Sequence, residues 1–82
     1  MRAHGPLWFS PPIPVKTPRI GIRHEINNVQ AAAENLLEWP KRGRNWNKAV
    51  KACLAALAGD VPPEDVRVAF EAAAREEGML FD

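Results

Sequence analysis

The chain has 82 residues, of which 46% are hydrophobic and 26% charged, and its formal net charge is +1 at pH 7. This composition is typical of one small globular domain and excludes a disordered or low-complexity chain. No apolar run approaches the length of a membrane-spanning helix, and the N-terminal residues lack the apolar segment of a signal peptide. The single cysteine cannot form an internal disulfide, so we expect a cytoplasmic protein that does not contact a membrane.

The net charge hides an uneven distribution along the chain. Residues 1–59 contain nine Lys or Arg and three Asp or Glu, whereas residues 60–82 contain two and seven. Such a chain can pair its own two ends, pair with a second copy, or present a basic face to an anion. The sequence leaves these three arrangements open.

A β-hairpin is predicted at the start of a single domain that spans residues 8–82 and follows a flexible lead-in over residues 1–7. Residues 12–17 alternate in the manner of a strand, although two of them are prolines. Pro12 and Pro14 lack N–H donors on the same side of this strand. One edge therefore has fewer hydrogen-bond donors for a further strand, whereas the other edge can still pair. We therefore predict an edge strand.

The second strand is predicted after a turn over residues 18–21, where a proline fixes φ and a glycine permits a positive φ. Ile22, His24 and Ile26 alternate with charged residues in this strand. A lone hairpin is marginally stable in water, so we expect these three side chains to face the helices.

Three amphipathic helices are predicted over residues 27–39, 45–59 and 63–77, with Asn27 and Asn45 as the N-caps of the first two. Gly59 and Gly78 are predicted to end the second and third helices, and Pro63 is predicted at the first position of the third, followed by Glu64 and Asp65. Their apolar residues recur every three or four positions and form three stripes: Val29, Ala32, Ala33, Leu36 and Leu37; Trp46, Ala49, Val50, Cys53, Leu54 and Leu57; and Val66, Ala69, Phe70 and Ala73. The predicted fold is α+β, with an N-terminal β-hairpin packed on three short α-helices in the order ββααα. The apolar residues 79–81 form either a short third strand or a tail folded onto the core.

The pattern resembles a known family of small α-proteobacterial proteins, called domain of unknown function 982, over roughly residues 8–80. The most specific pieces of the resemblance are Trp39-Pro40, the Ala52-Cys53-Leu54 segment with Gly59 behind it, and Arg67-x-Ala-Phe. The resemblance implies a compact α+β domain. The resemblance implies no activity, cofactor or catalytic residue.

Few side chains are candidates for catalysis. Cys53 lies within the apolar stripe of the second helix, where a cysteine behaves as a small hydrophobe. His4 and His24 have no spacing relative to Cys53 that indicates a zinc site, and there is no glycine-rich phosphate loop. We therefore predict no catalytic residue, no cofactor and no metal site, and we expect the protein not to be an enzyme.

The candidate functional surface is a basic cluster near the start of the second helix. Five of the eleven Lys and Arg residues fall between positions 41 and 51, with no acid among them. A helix N-terminus favours anions and an aromatic ring can stack on a base, so this cluster is a candidate anion or nucleic-acid surface. We call it the basic surface, and its members are Lys41, Arg42, Arg44, Trp46, Lys48 and Lys51. The alternative is a solvated loop with Trp46 packed into the core.

The leading functional hypothesis is a non-enzymatic protein-interaction module with an unidentified protein as its partner. A homodimer held by complementary basic and acidic faces is one form of this hypothesis. The alternative is weak nucleic-acid or anion binding by the basic surface, which is less favoured because five charges support only weak, salt-sensitive binding. A small enzyme is the third hypothesis.

Overall fold

The computed structural model describes residues 6–81 and has the predicted element order, ββααα. The strands are β1 (Trp8–Lys16) and β2 (Arg23–Asn28), and the helices are α1 (Val29–Glu38), α2 (Arg44–Leu57) and α3 (Pro63–Glu76). The predicted α+β class is therefore confirmed. Residues 1–5, which belong to the predicted lead-in, and residue 82 lie outside the described residues. Within the described part of the chain, no helix is long and apolar enough to cross a membrane.

The hairpin is antiparallel, with Ile13 opposite Ile26 and Val15 opposite His24. The pairing is irregular between Trp8 and Ile13, and β1 begins earlier than predicted, at Trp8. Because His24 lies opposite a buried valine, it is on the inward face, as the alternation predicts. Its side chain is nevertheless exposed, and Ile22, which precedes β2, is 53% exposed, so the prediction that these two side chains pack on the helices is wrong.

The outer edge of β1 carries the predicted prolines. The carbonyl oxygen of Pro14 points away from β2 and accepts a hydrogen bond from the Phe81 N–H at 3.0 Å. Next to it, Val15 forms an isolated antiparallel bridge with Leu80. Residues 79–81 therefore cover part of this edge through a single bridge and do not form a full third strand.

The two N-caps predicted from the sequence are wrong by one or two residues. Helix α1 is capped by Asn28, whose side-chain oxygen accepts the Ala31 N–H at 2.8 Å. Asn27 remains in the strand because β2 continues to pair through residue 28. Helix α2 begins after Gly43, before the predicted cap Asn45, because carboxylates of α3 accept hydrogen bonds from its first turn.

The ends of α2 and α3 follow the sequence prediction. Gly59 and Gly78 come just after these helices with φ values of 84° and 70°, which glycine adopts at little cost. Pro63 is the first residue of α3. Glu64 and Asp65 lie in its first turn, where carboxylates interact favourably with the helix dipole.

The core lies between the inner face of the hairpin and the three helices. Its buried side chains are Phe9, Ile13, Val15, Ile26, Val29, Ala32, Leu36, Trp39, Ala49, Cys53, Ala56, Val66, Phe70, Ala73 and Ala74. The rings of Trp39 and Phe70 pack with their centroids 5.4 Å apart, which joins the corner after α1 to α3. Trp39, which follows the last residue of α1, is thus a core residue.

Three leucines that the stripes assign to the core are exposed. Leu37 and Leu54 are each 63% exposed and Leu57 is 48% exposed, so the predicted stripes are wrong at these positions. The physical reason is the width of the apolar face of α2. Ala49 and Ala56 occupy its buried side, whereas Leu54 and Leu57 extend it beyond what the neighbouring helices cover; Leu37 lies on α1, facing the same uncovered side.

Candidate interaction surfaces

The basic surface forms around the loop after α1 and the first half of α2. The Trp46 indole N–H donates to the Leu36 carbonyl oxygen at 2.7 Å, which holds this half-buried ring against α1. The Arg42 guanidinium lies 4.8 Å from the centre of the Trp46 ring and donates to the Leu37 carbonyl oxygen at 2.9 Å. Arg42 therefore covers one face of the ring, which reduces the surface on which a nucleic-acid base could stack.

The N-terminus of α2, where the sequence suggests an anion, is occupied by carboxylates of the same chain. The Gly43 N–H donates to Glu77 Oε2 at 2.8 Å, and the Asn45 N–H donates to Glu76 Oε1 at 3.0 Å. Both glutamates lie at the C-terminal end of α3. These two hydrogen bonds join the acidic C-terminal part of the chain to the start of α2, but no ion pair within residues 6–81 connects the basic part of the sequence to the acidic part.

The remaining cations of the basic surface are exposed: Lys41, Arg44, Lys48 and Lys51. Within residues 6–81 the ion pairs are Arg23–Glu25, Arg67–Glu71 and Arg75–Glu71, so none of them involves the basic surface. These exposed cations are available to an anion or to the acidic side chains of a partner.

The groups considered for catalysis lie in different environments. Cys53 is 2% exposed, and burial raises the pKa of its thiol from 9.0 to about 11, so little thiolate exists at neutral pH. His24 is exposed on β2, and His4 lies outside the described residues. Among residues 6–81, no three His, Cys, Asp or Glu side chains come together in a way that could hold a metal ion.

An exposed apolar groove of about 140 Å³ lies between α1 and α2. We call it the α1–α2 groove, and it is lined by Ala33, Leu37, Val50, Cys53, Leu54 and Leu57. Its three leucines are the exposed ones described above. Complete burial of a leucine side chain is worth roughly 1.5–3 kcal/mol relative to full exposure, so covering this groove would be favourable.

Sequence reasoning missed the α1–α2 groove. Helical periodicity places its residues on one face of each helix, but periodicity is the same for a core face and for a groove wall. One local signal was available. The proline after Trp39 limits α1 to 10 residues, and so short a helix covers only part of the 14-residue α2.

The fold and these surfaces define a small α+β protein in which a β-hairpin packs on three helices. The chain belongs to the family of proteins of unknown function DUF982, whose model matches residues 11–81. The resemblance carried by Trp39-Pro40 and Ala52-Cys53-Leu54 is thereby confirmed. The NMR structure of Agrobacterium tumefaciens protein Atu1219, a structural genomics target, is similar with a TM-score of 0.73 and 35% sequence identity, over 93% of this chain and 77% of that chain. No curated protein matches the chain.

Proposed function

We propose that the protein is a non-enzymatic, cytoplasmic interaction module that binds the apolar face of a protein helix in the α1–α2 groove. The observation that supports this proposal is the exposure of Leu37, Leu54 and Leu57 along one groove. Contiguous apolar surface of this kind marks interaction sites on small proteins, and a helix laid in a groove is a common mode of recognition. The raised pKa of Cys53, which lines the same groove, favours a binding role over a catalytic one.

The test compares Leu54→Glu with Val68→Glu. Both positions are 63% exposed on a helix, but Val68 lies on α3 and does not line the groove. The tagged chain and both variants are expressed in the native host, and the proteins that co-purify with them are identified. Each of these proteins is then purified and titrated against the original chain and against the two variants. We expect binding to Leu54→Glu to be at least about tenfold weaker, with Val68→Glu unchanged. Equal binding to both variants would exclude the groove as the interaction site.

Weak nucleic-acid binding by the basic surface is the second candidate function, and its exposed cations support it. Two observations weigh against nucleic-acid binding: Arg42 lies over the Trp46 ring, and glutamates of the same chain accept hydrogen bonds from the N-terminus of α2. Fluorescence anisotropy of a labelled single-stranded oligonucleotide at about 50 mM and 200 mM salt tests it directly. Binding that disappears in a Lys48→Glu/Lys51→Glu variant would support this candidate, and the absence of binding at the lower salt concentration would eliminate it.

A further inference from the structure

We infer that the partner in the α1–α2 groove is the same groove of a second copy of this chain, an inference that rests on the proposed function. The evidence is the charge of the two helices that form the groove. Helix α1 contains Glu34 and Glu38 and no Lys or Arg. Helix α2 contains three Lys or Arg residues and no Asp or Glu. The helix on one side of the apolar groove is therefore acidic, and the helix on the other side is basic.

The charges lie at equivalent positions on the two walls. Glu34 is three residues before Leu37 on α1, and Lys51 is three residues before Leu54 on α2. Residues three apart are neighbours on a helix surface, so each exposed leucine has an exposed charge beside it. One wall thus presents a leucine with an acid, and the other a leucine with a base.

A two-fold axis running along the groove makes this surface complementary to itself. Rotation about that axis brings α1 of one copy over α2 of the other, so a Glu34–Lys51 pair forms twice. The same patch serves both copies, as in every isologous dimer. A two-fold axis across the groove would instead bring α1 over α1 and α2 over α2, and like charges would repel.

This dimer differs from one that pairs the basic and acidic parts of the sequence. Glu76 and Glu77, at the acidic end of α3, already accept hydrogen bonds from α2 of their own chain. The exposed Lys51 and Glu34 take part in no ion pair within residues 6–81, so their charges are available to a second copy. Because the pairs lie at the rim of a small groove, we expect a weak dimer that salt weakens further.

Sedimentation equilibrium of the purified full chain, from about 10 μM to about 1 mM at low salt, tests the inference. We expect a concentration-dependent dimer whose dissociation constant rises at least about tenfold in Leu54→Glu and is unchanged in Val68→Glu. Circular dichroism verifies that each variant folds, and Leu37→Ser replaces Leu54→Glu if that variant unfolds. A dimer that persists in the folded groove variants would overturn the inference, as would a monomer at every concentration.

Charge reversal identifies the pair itself. Glu34→Lys places two bases opposite each other in the dimer, and Lys51→Glu places two acids opposite each other, so each variant alone should be monomeric. An equimolar mixture of the two variants should dimerise, because both cross-pairs are then attractive. Failure of the mixture to dimerise would contradict the two-fold arrangement.

The two proposals fail separately. If the chain stays monomeric while a different protein binds in a Leu54-dependent manner, the second-copy inference is wrong and the proposed function stands. If Leu54→Glu changes neither self-association nor the binding of any other protein, both are wrong.

Discussion

The backbone N–H of Gly43 donates to the carboxylate of Glu77 at 2.8 Å, although the two residues are 34 positions apart in the chain. Glycine has no side chain with which to cap a helix, and α2 has no side-chain cap from its own N-cap residue. The C-terminal end of α3 supplies the missing acceptors through Glu77 and Glu76. The start of α2 thus depends on tertiary structure, and the negative charge there also interacts favourably with the helix dipole.

Neutralising this tertiary cap should destabilise the fold. We expect Glu77→Gln to lower the free energy of unfolding by about 0.5–2 kcal/mol, the range for loss of a helix cap or a charge near a helix N-terminus. Urea denaturation followed by circular dichroism measures the change. Glu38→Gln is the matched control, because Glu38 is exposed at the C-terminal end of α1, where a negative charge is unfavourable. Equal destabilisation by both substitutions would contradict the role of Glu77.

Leu36 and Leu54 should respond differently to truncation. Leu36 is 0% exposed, whereas Leu54 is 63% exposed at the groove. We expect Leu36→Ala to cost about 2–5 kcal/mol, the usual range for a buried leucine, and Leu54→Ala to cost less than about 1 kcal/mol. Urea unfolding at low protein concentration, where any self-association is minimal, measures both values. A large cost at Leu54 would place it in the core, as its helical periodicity alone suggests.

The features that the sequence predicts correctly depend on local chemistry. A proline begins α3, glycines with positive φ follow α2 and α3, and Pro14 lies on the outer edge of β1. Each of these follows from the dihedral preferences or missing donor of a single residue. The order of elements could therefore be predicted without knowledge of the tertiary structure.

The features that the sequence does not reveal depend on distant residues. Cys53 and Leu57 are four residues apart on the same apolar stripe of α2, and only the packing of α1 and α3 decides that the cysteine is buried and the leucine exposed. The displacement of the α2 cap from Asn45 to Gly43 has the same origin, because its acceptors lie more than 30 positions away. The candidate site arises from these tertiary effects.

Stability should fall at high pH because of Cys53. Burial raises the pKa of its thiol from 9.0 to about 11. Below pH 9 the thiol is protonated in both the folded and the unfolded chain, so it adds no pH dependence. Between pH 9 and 11 the unfolded chain loses this proton first, and the free energy of unfolding decreases as pH rises, by up to about 3 kcal/mol.

The measurement compares the unchanged chain with Cys53→Ala in urea at several pH values from 7 to about 10.5. The alanine variant has no thiol, so lysine titrations and other shared effects cancel in the difference between the two chains. We expect the unchanged chain to lose stability relative to Cys53→Ala as pH rises above 9. A constant difference across the series would show that the thiol is not buried in its protonated form.

Trp46 should contribute to stability through its indole N–H as well as through its ring. This N–H donates to the Leu36 carbonyl oxygen at 2.7 Å and joins the start of α2 to the end of α1. Trp46→Phe keeps an aromatic ring but removes the donor, so we expect a loss of about 1–2 kcal/mol in the free energy of unfolding. Trp8→Phe is the matched control, because Trp8 is 61% exposed and should tolerate the change within about 0.5 kcal/mol. If both substitutions cost the same, the hydrogen bond to Leu36 does not stabilise the corner between α1 and α2.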